Sequence, residues 1–110
     1  MLTPWGQADH VTHLPHGIVS VSTPSHGGYY VPPEAREKMP EAARVSPFLK
    51  NGWYEEDCDW AIVVLSFPEI IDAEIHTLPA EEVLEAARAT VRGWMSEEVC
   101  RAFGLVKRER

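Results

Sequence analysis

Apolar and polar positions alternate over residues 19–22. Val19 and Val21 are set against Ser20 and Ser22, the period of a strand with one buried face. Pro15-His16-Gly17 and Pro24-Ser25-His26-Gly27-Gly28 bracket the alternation with turn chemistry, glycine allowing a positive φ where a tight reversal needs one. The pattern predicts a small antiparallel meander with strands over residues 8–14, 18–23 and 29–31. Three short strands do not hold together alone in water, so the helices that follow are expected to cover the sheet.

The period then lengthens. Pro32-Pro33 followed by Glu34 to Lys38 predicts a short peripheral helix with proline in its first turn, ended by Met39-Pro40. Residues 41–54, broken by Pro47 and Gly52, read as a loop or single helical turn that docks Phe48, Leu49 and Trp53. Cys58, Ala61, Ile62 and Leu65 recur at helical spacing before Pro68, which predicts a helix over residues 55–67. The β-branched run Ile62 to Val64 makes a buried strand the competing assignment. Residues 69–78 fit either a strand joining the sheet or an irregular docked segment. From Pro79 the stripe Ala80, Val83, Leu84, Ala87, Val91 and Trp94 predicts an amphipathic helix. Ser96 can cap a further short helix that Gly104 terminates.

Together these elements predict an α+β fold, a three- to four-stranded antiparallel sheet packed against two main helices plus short ones. The 110 residues suit a single domain: a β-meander over residues 1–32, a short helix and loop over 33–54, and a helical part over 55–110. No stretch approaches the ~18 apolar residues of a membrane span. The N-terminus shows no secretory signal, so a cytoplasmic monomer is expected. Under that expectation Cys58 and Cys100 are two buried thiols rather than a disulfide.

Charge changes the picture more than composition does. The net charge is −7, yet residues 1–54 balance at zero, residues 55–100 carry 12 acids against Arg88 and Arg92, and residues 101–110 return +3. Nucleic acid would be repelled by the acidic half, and a basic protein surface attracted. Glu55, Glu56, Asp57 and Asp59 crowd the predicted start of the helix, where the helix dipole favours each carboxylate by about 0.3–1 kcal/mol. They form either a solvated helix start or a negative surface for a partner, helped by Glu81, Glu82 and Glu85 if the two helices lie side by side.

Other candidates carry less. His10, His13, His16 and His26 fall close together, but on a strand His10 and His13 point to opposite faces, so no metal site and no cofactor is expected. Ser25-His26-Gly27-Gly28 offers a hydroxyl, an imidazole and exposed backbone amides, the ingredients of an acyl-transfer or phosphate site; a catalytic role would need Asp57 or Cys58 brought to it. The plainer reading is a hairpin turn whose Ser and Thr bond the backbone. Cys58 sits among acids that disfavour a thiolate, a poor setting for a nucleophile. Trp5, Trp53, Trp60 and Trp94 read as core anchors, with Trp5 or Trp53 the best candidate for an exposed contact.

Trp5-Gly6, the loop Ser22 to Gly28 and the string Glu55-Glu56-Asp57-Cys58-Asp59-Trp60-Ala61 resemble a family of short uncharacterised domains carried on bacterial plasmids, prophages and integrated elements, over roughly residues 3–68. The resemblance implies a mobile-element context, in which a small, acidic, solitary domain is similar in character to the anti-CRISPR inhibitors. The expected function is that of an acidic interaction protein, an anti-CRISPR-type DNA mimic that occupies the basic DNA-recognition surface of a nucleoprotein complex and is not an enzyme. The alternatives are a small enzyme or ligand-binding domain built on the Ser25–Gly28 loop, and an accessory domain whose acids serve only solubility.

Overall fold

The structure, a computed structural model, describes residues 1–45, 51–73 and 78–109. Its strands are β1 (Leu2–Thr3), β2 (Gly6–Gln7), β3 (His10–His13), β4 (Val19–Ser22), β5 (Gly27–Tyr30) and β6 (Trp53–Glu55). Its helices are α1 (Pro33–Arg36), α2 (Trp60–Ser66), α3 (Ile70–Ala73), α4 (Ala80–Trp94) and α5 (Glu97–Ala102). Strands β3 to β6 form an antiparallel sheet in chain order, and β1 pairs with β2 in a small hairpin of its own. The fold is α+β as expected, with α2 and α4 as its central pair of helices.

Register decides which side chains share a face. Val19 pairs with Tyr30, Val21 with Gly28, and Tyr30 with Trp53, so these residues line one face; Ser20, Ser22, Tyr29 and Tyr54 line the other. The helices cover the second face, where Tyr29 and Tyr54 join Ile18, Val31 and the apolar residues of α2 in the main core. The valines are buried too, but on the side away from the helices. There the β1–β2 hairpin brings Trp5 edge-on to Trp53 with centroids 5.8 Å apart, and Trp53 leans on Tyr30 at 5.1 Å. The expectation that the helices cover the valine face is therefore corrected. A hairpin of six residues does so instead, its turn closed by the Thr3 hydroxyl, which donates to the Gly6 carbonyl at 2.7 Å.

Helix α2 is buried all round, with Ala61, Ile62, Val63 and Val64 fully covered, as its unbroken apolar run requires. Helix α4 packs Val83, Ala87 and Val91 against it, each such valine contributing roughly 1.5–3 kcal/mol by leaving water. In α5 the Ser96 hydroxyl caps the first turn, accepting from the Val99 amide at 3.2 Å, and the helix packs on the 3₁₀ turn Glu41–Ala43. The chain after α5 returns along the end of α4, where Arg108 N–H donates to the Arg92 carbonyl, Arg92 Nε donates to Val106, and Lys107 Nζ donates to the Met95 carbonyl.

The elements depart from expectation at several places. Strand β6 lies where a loop was expected, because three residues are too short to show an alternation. Helix α2 starts at Trp60 rather than Glu55, since Glu55 is still paired with Gly28 in the sheet. Ile70–Ala73 forms a short helix, not a strand, with Ile70 buried. Phe48 and Leu49 lie outside the described residues. Cys100 is buried, Cys58 is half-buried, and neither forms a disulfide.

Candidate interaction site

Strand β6 and helix α2 are joined by a tight turn, residues 56–59, that holds the acidic string. Glu55, last in its strand, folds its carboxylate back over this turn. Oε2 accepts from the Asp57 amide at 2.7 Å, and Oε1 accepts from the amides of Cys58 at 2.6 Å and Asp59 at 3.1 Å. These amides precede a helix and have no carbonyl partners within it, so the carboxylate serves as their cap. Asp59 is fully buried, at the N-cap position of α2, and its charge is felt by Tyr54. Two of the four acids taken as one negative surface are thus structural. Only Glu56 and Asp57 are exposed, and neutralising all four would strike the fold as well as the surface.

Burial pushes the Tyr54 phenol up to about 12, Arg36 opposing and Asp59 reinforcing. Its hydroxyl donates to the Ala43 carbonyl at 2.7 Å. The bond ties β6 to the 3₁₀ turn.

Glu81, Glu82 and Glu85 are exposed on the first turns of α4. They do not merge with the acidic turn. Helices α2 and α4 do lie side by side, but the turn that leads into α2 borders Trp94, the last residue of α4. At 1.5 Å of rise per residue, Glu85 stands about 13 Å and Glu81 about 20 Å along the helix from that end. Arg88 moreover bonds Glu81 at 2.7 Å and Glu85 at 3.1 Å, which raises the pKa of its guanidinium. Glu97 and Glu98, not singled out from the sequence, lie exposed on the first turn of α5.

Two hollows flank the acidic turn. One, of about 290 Å³, is lined by Ser20, Ser22, Tyr29, Glu56 and Trp60 on the helix side of the sheet. The other, of about 390 Å³, is lined by Glu55, Asp57, Cys58 and Trp94. Trp94 is 64% exposed, whereas Trp5 and Trp53 are half-covered by each other, so the exposed aromatic is not the one expected. It continues the apolar stripe of α4, but α2 begins too late to meet it. The stripe outruns its partner helix, and helical spacing alone does not reveal that.

The loop Ser25-His26-Gly27-Gly28 is a closed hairpin turn. Thr23 Oγ1 donates to the His26 carbonyl at 2.8 Å and accepts from the His26 amide at 3.1 Å, while Ser25 and His26 are exposed. The glycines serve packing. A Cβ on Gly27 would lie 2.8 Å from the Val21 carbonyl, and one on Gly28 would strike the Tyr54 carbonyl and the Trp5 ring. Neither Asp57 nor Cys58 lines the hollow beside these glycines. Among the described residues no group of three His, Cys, Asp or Glu side chains converges on a metal position. His16 pairs with Glu69 and leans on Phe67, fastening the Pro15–Gly17 turn to the segment before α3. Among the described residues no helix is long and apolar enough to cross a membrane.

Comparison with curated proteins and with solved structures finds no match. Among protein families, a domain of unknown function (DUF7007) matches residues 1–109. The match takes in the hairpin, the sheet and the helical layer together, and the chain belongs to this family.

Proposed function

We propose that this protein is an acidic interaction module that binds a basic surface of a partner protein through its helical layer. One observation carries the reading. From residue 55 to residue 98, the exposed charged side chains among the described residues are acids, Glu56, Asp57, Glu69, Asp72, Glu81, Glu82, Glu85, Glu97 and Glu98, whereas Arg88 and Arg92 are partly covered. The two cations of that stretch are engaged within the molecule, Arg88 by Glu81 and Glu85 and Arg92 by the Val106 carbonyl. Carboxylates held on a rigid helical layer attract lysine and arginine, speed encounter and repel nucleic acid. Inhibition of a DNA-targeting nucleoprotein complex, by covering the basic surface it uses on DNA, is the specific form of this reading that we put forward.

The test is capture of a purified DNA-targeting complex by the immobilised protein. The comparison is between wild type and a variant carrying Glu81→Gln, Glu82→Gln, Glu85→Gln, Glu97→Gln and Glu98→Gln. Glu55 and Asp59 are left intact so that the fold is not disturbed. Stoichiometric capture lost in the variant and at raised salt supports the proposal; capture that survives both refutes it.

A further inference from the structure

The two hollows beside the acidic turn share a design. Each sets a tryptophan against an exposed carboxylate of the same turn, Trp60 with Glu56 on one side and Trp94 with Asp57 on the other. We infer that the turn is the specific recognition point of the module, and that it takes a segment of the basic partner carrying two arginine side chains, one in each hollow. The inference rests on the proposed function and narrows it from a charged layer to a defined site.

Three features of the hollows favour a cationic side chain of this kind. An indole face attracts a cation through its quadrupole, and a guanidinium is planar, stacks on an aromatic ring and carries a fork of donors for a carboxylate. In the larger hollow Trp94 supplies an exposed ring, Asp57 an exposed carboxylate, and Glu55 a second negative charge held by the amides of Asp57, Cys58 and Asp59. The Glu55 charge is therefore in place before a ligand arrives, which limits the ordering penalty of binding. In the smaller hollow Ser20 and Ser22 add hydroxyls to Glu56 and Trp60, acceptors for the N–H groups a guanidinium has left over. Its floor is the β4–β5 pair, in which a Gly27 side chain would lie 3.1 Å from the Glu56 carboxylate, so glycine leaves that carboxylate room.

The experiment is a titration of the intact protein with blocked peptides carrying one or two arginines at varied separation. It is read from the indole N–H signals of the four tryptophans in a two-dimensional NMR spectrum. The expected result is a saturable shift of the Trp60 and Trp94 signals with those of Trp5 and Trp53 unmoved, and tighter binding of a two-arginine peptide than of either one-arginine peptide. Trp94→Ala, at an exposed position, should weaken binding roughly three- to thirtyfold. Asp57→Asn and Glu56→Gln should each remove the preference for the second arginine. Peptides that bind through the α4 and α5 acids while the Trp60 and Trp94 signals stay still would overturn the inference and leave the proposed function standing. So would capture of the nucleoprotein complex by a protein that binds none of the peptides. Failure of both the peptides and the complex to bind would remove the two together.

Discussion

Glu55 and Glu56 are neighbours with opposite duties. Glu55 holds the amides of Asp57, Cys58 and Asp59 and thereby shapes the entry to α2, whereas Glu56 stands at the surface. Glu55→Gln weakens three charge-assisted bonds and should destabilise the protein by about 1–3 kcal/mol. Glu56→Gln should stay within about 0.5 kcal/mol of wild type. Chemical denaturation of the two variants side by side checks this, and equal effects would contradict the assignment. Tyr54 gives a second residue-scale prediction. Its folded pKa is raised, so the stability it contributes is whole below pH 10 and is lost as pH climbs towards about 12. Absorbance titration should show a tyrosine ionising late, towards pH 12, and Tyr54→Phe should abolish that late step. The same substitution leaves the Ala43 carbonyl without its donor, at a cost of about 1–3 kcal/mol.

Among the elements, the contact between β5 and β6 depends on Gly28. A methyl group there meets the Tyr54 carbonyl and the Trp5 ring, so Gly28→Ala should lower stability by at least about 1–3 kcal/mol and loosen the hairpin carrying Trp5. A shift in the Trp5 fluorescence environment alongside a lowered melting temperature would show both effects. Glu69 fastens the Pro15–Gly17 turn through His16, and its pKa is lowered, first by its own backbone amide and then by His16. A lowered carboxylate pKa means stability present above the ordinary value of 4.5 and lost as pH falls through the depressed one. Urea midpoints measured from neutral pH down to pH ~3 should drop less for Glu69→Gln than for wild type. Elements with a local signal of their own were legible in the sequence: β4 from the alternation of its valines and serines, β3 from the turn chemistry that follows it, α4 from its long stripe, α5 from its Ser96 cap. What was not legible depends on partners. Strand β6 exists because β5 pairs with it, β1 and β2 because Trp5 finds Gly28 and Trp53, and the exposure of Trp94 follows from where α2 begins.

The whole molecule divides by charge as well as by layer. The sheet side, with its hairpin, comes from a stretch of zero net charge, while the helical side carries the acids. That division was plain from composition, yet the site within it was not. A run of Glu55, Glu56, Asp57 and Asp59 reads as one patch, whereas the backbone spends Glu55 on capping and Asp59 on the interior, leaving two exposed acids that line separate hollows, each with a tryptophan in its wall. The most direct measurement of the central claim is the affinity of the protein for its captured partner across a salt series, with the variant neutralised at 81, 82, 85, 97 and 98 measured beside it. Wild type should lose at least about tenfold in affinity between roughly 0.05 and 0.3 M salt, with a clearly flatter dependence and weaker binding for the variant. Affinity that is independent of salt, or unchanged in the variant, would contradict it.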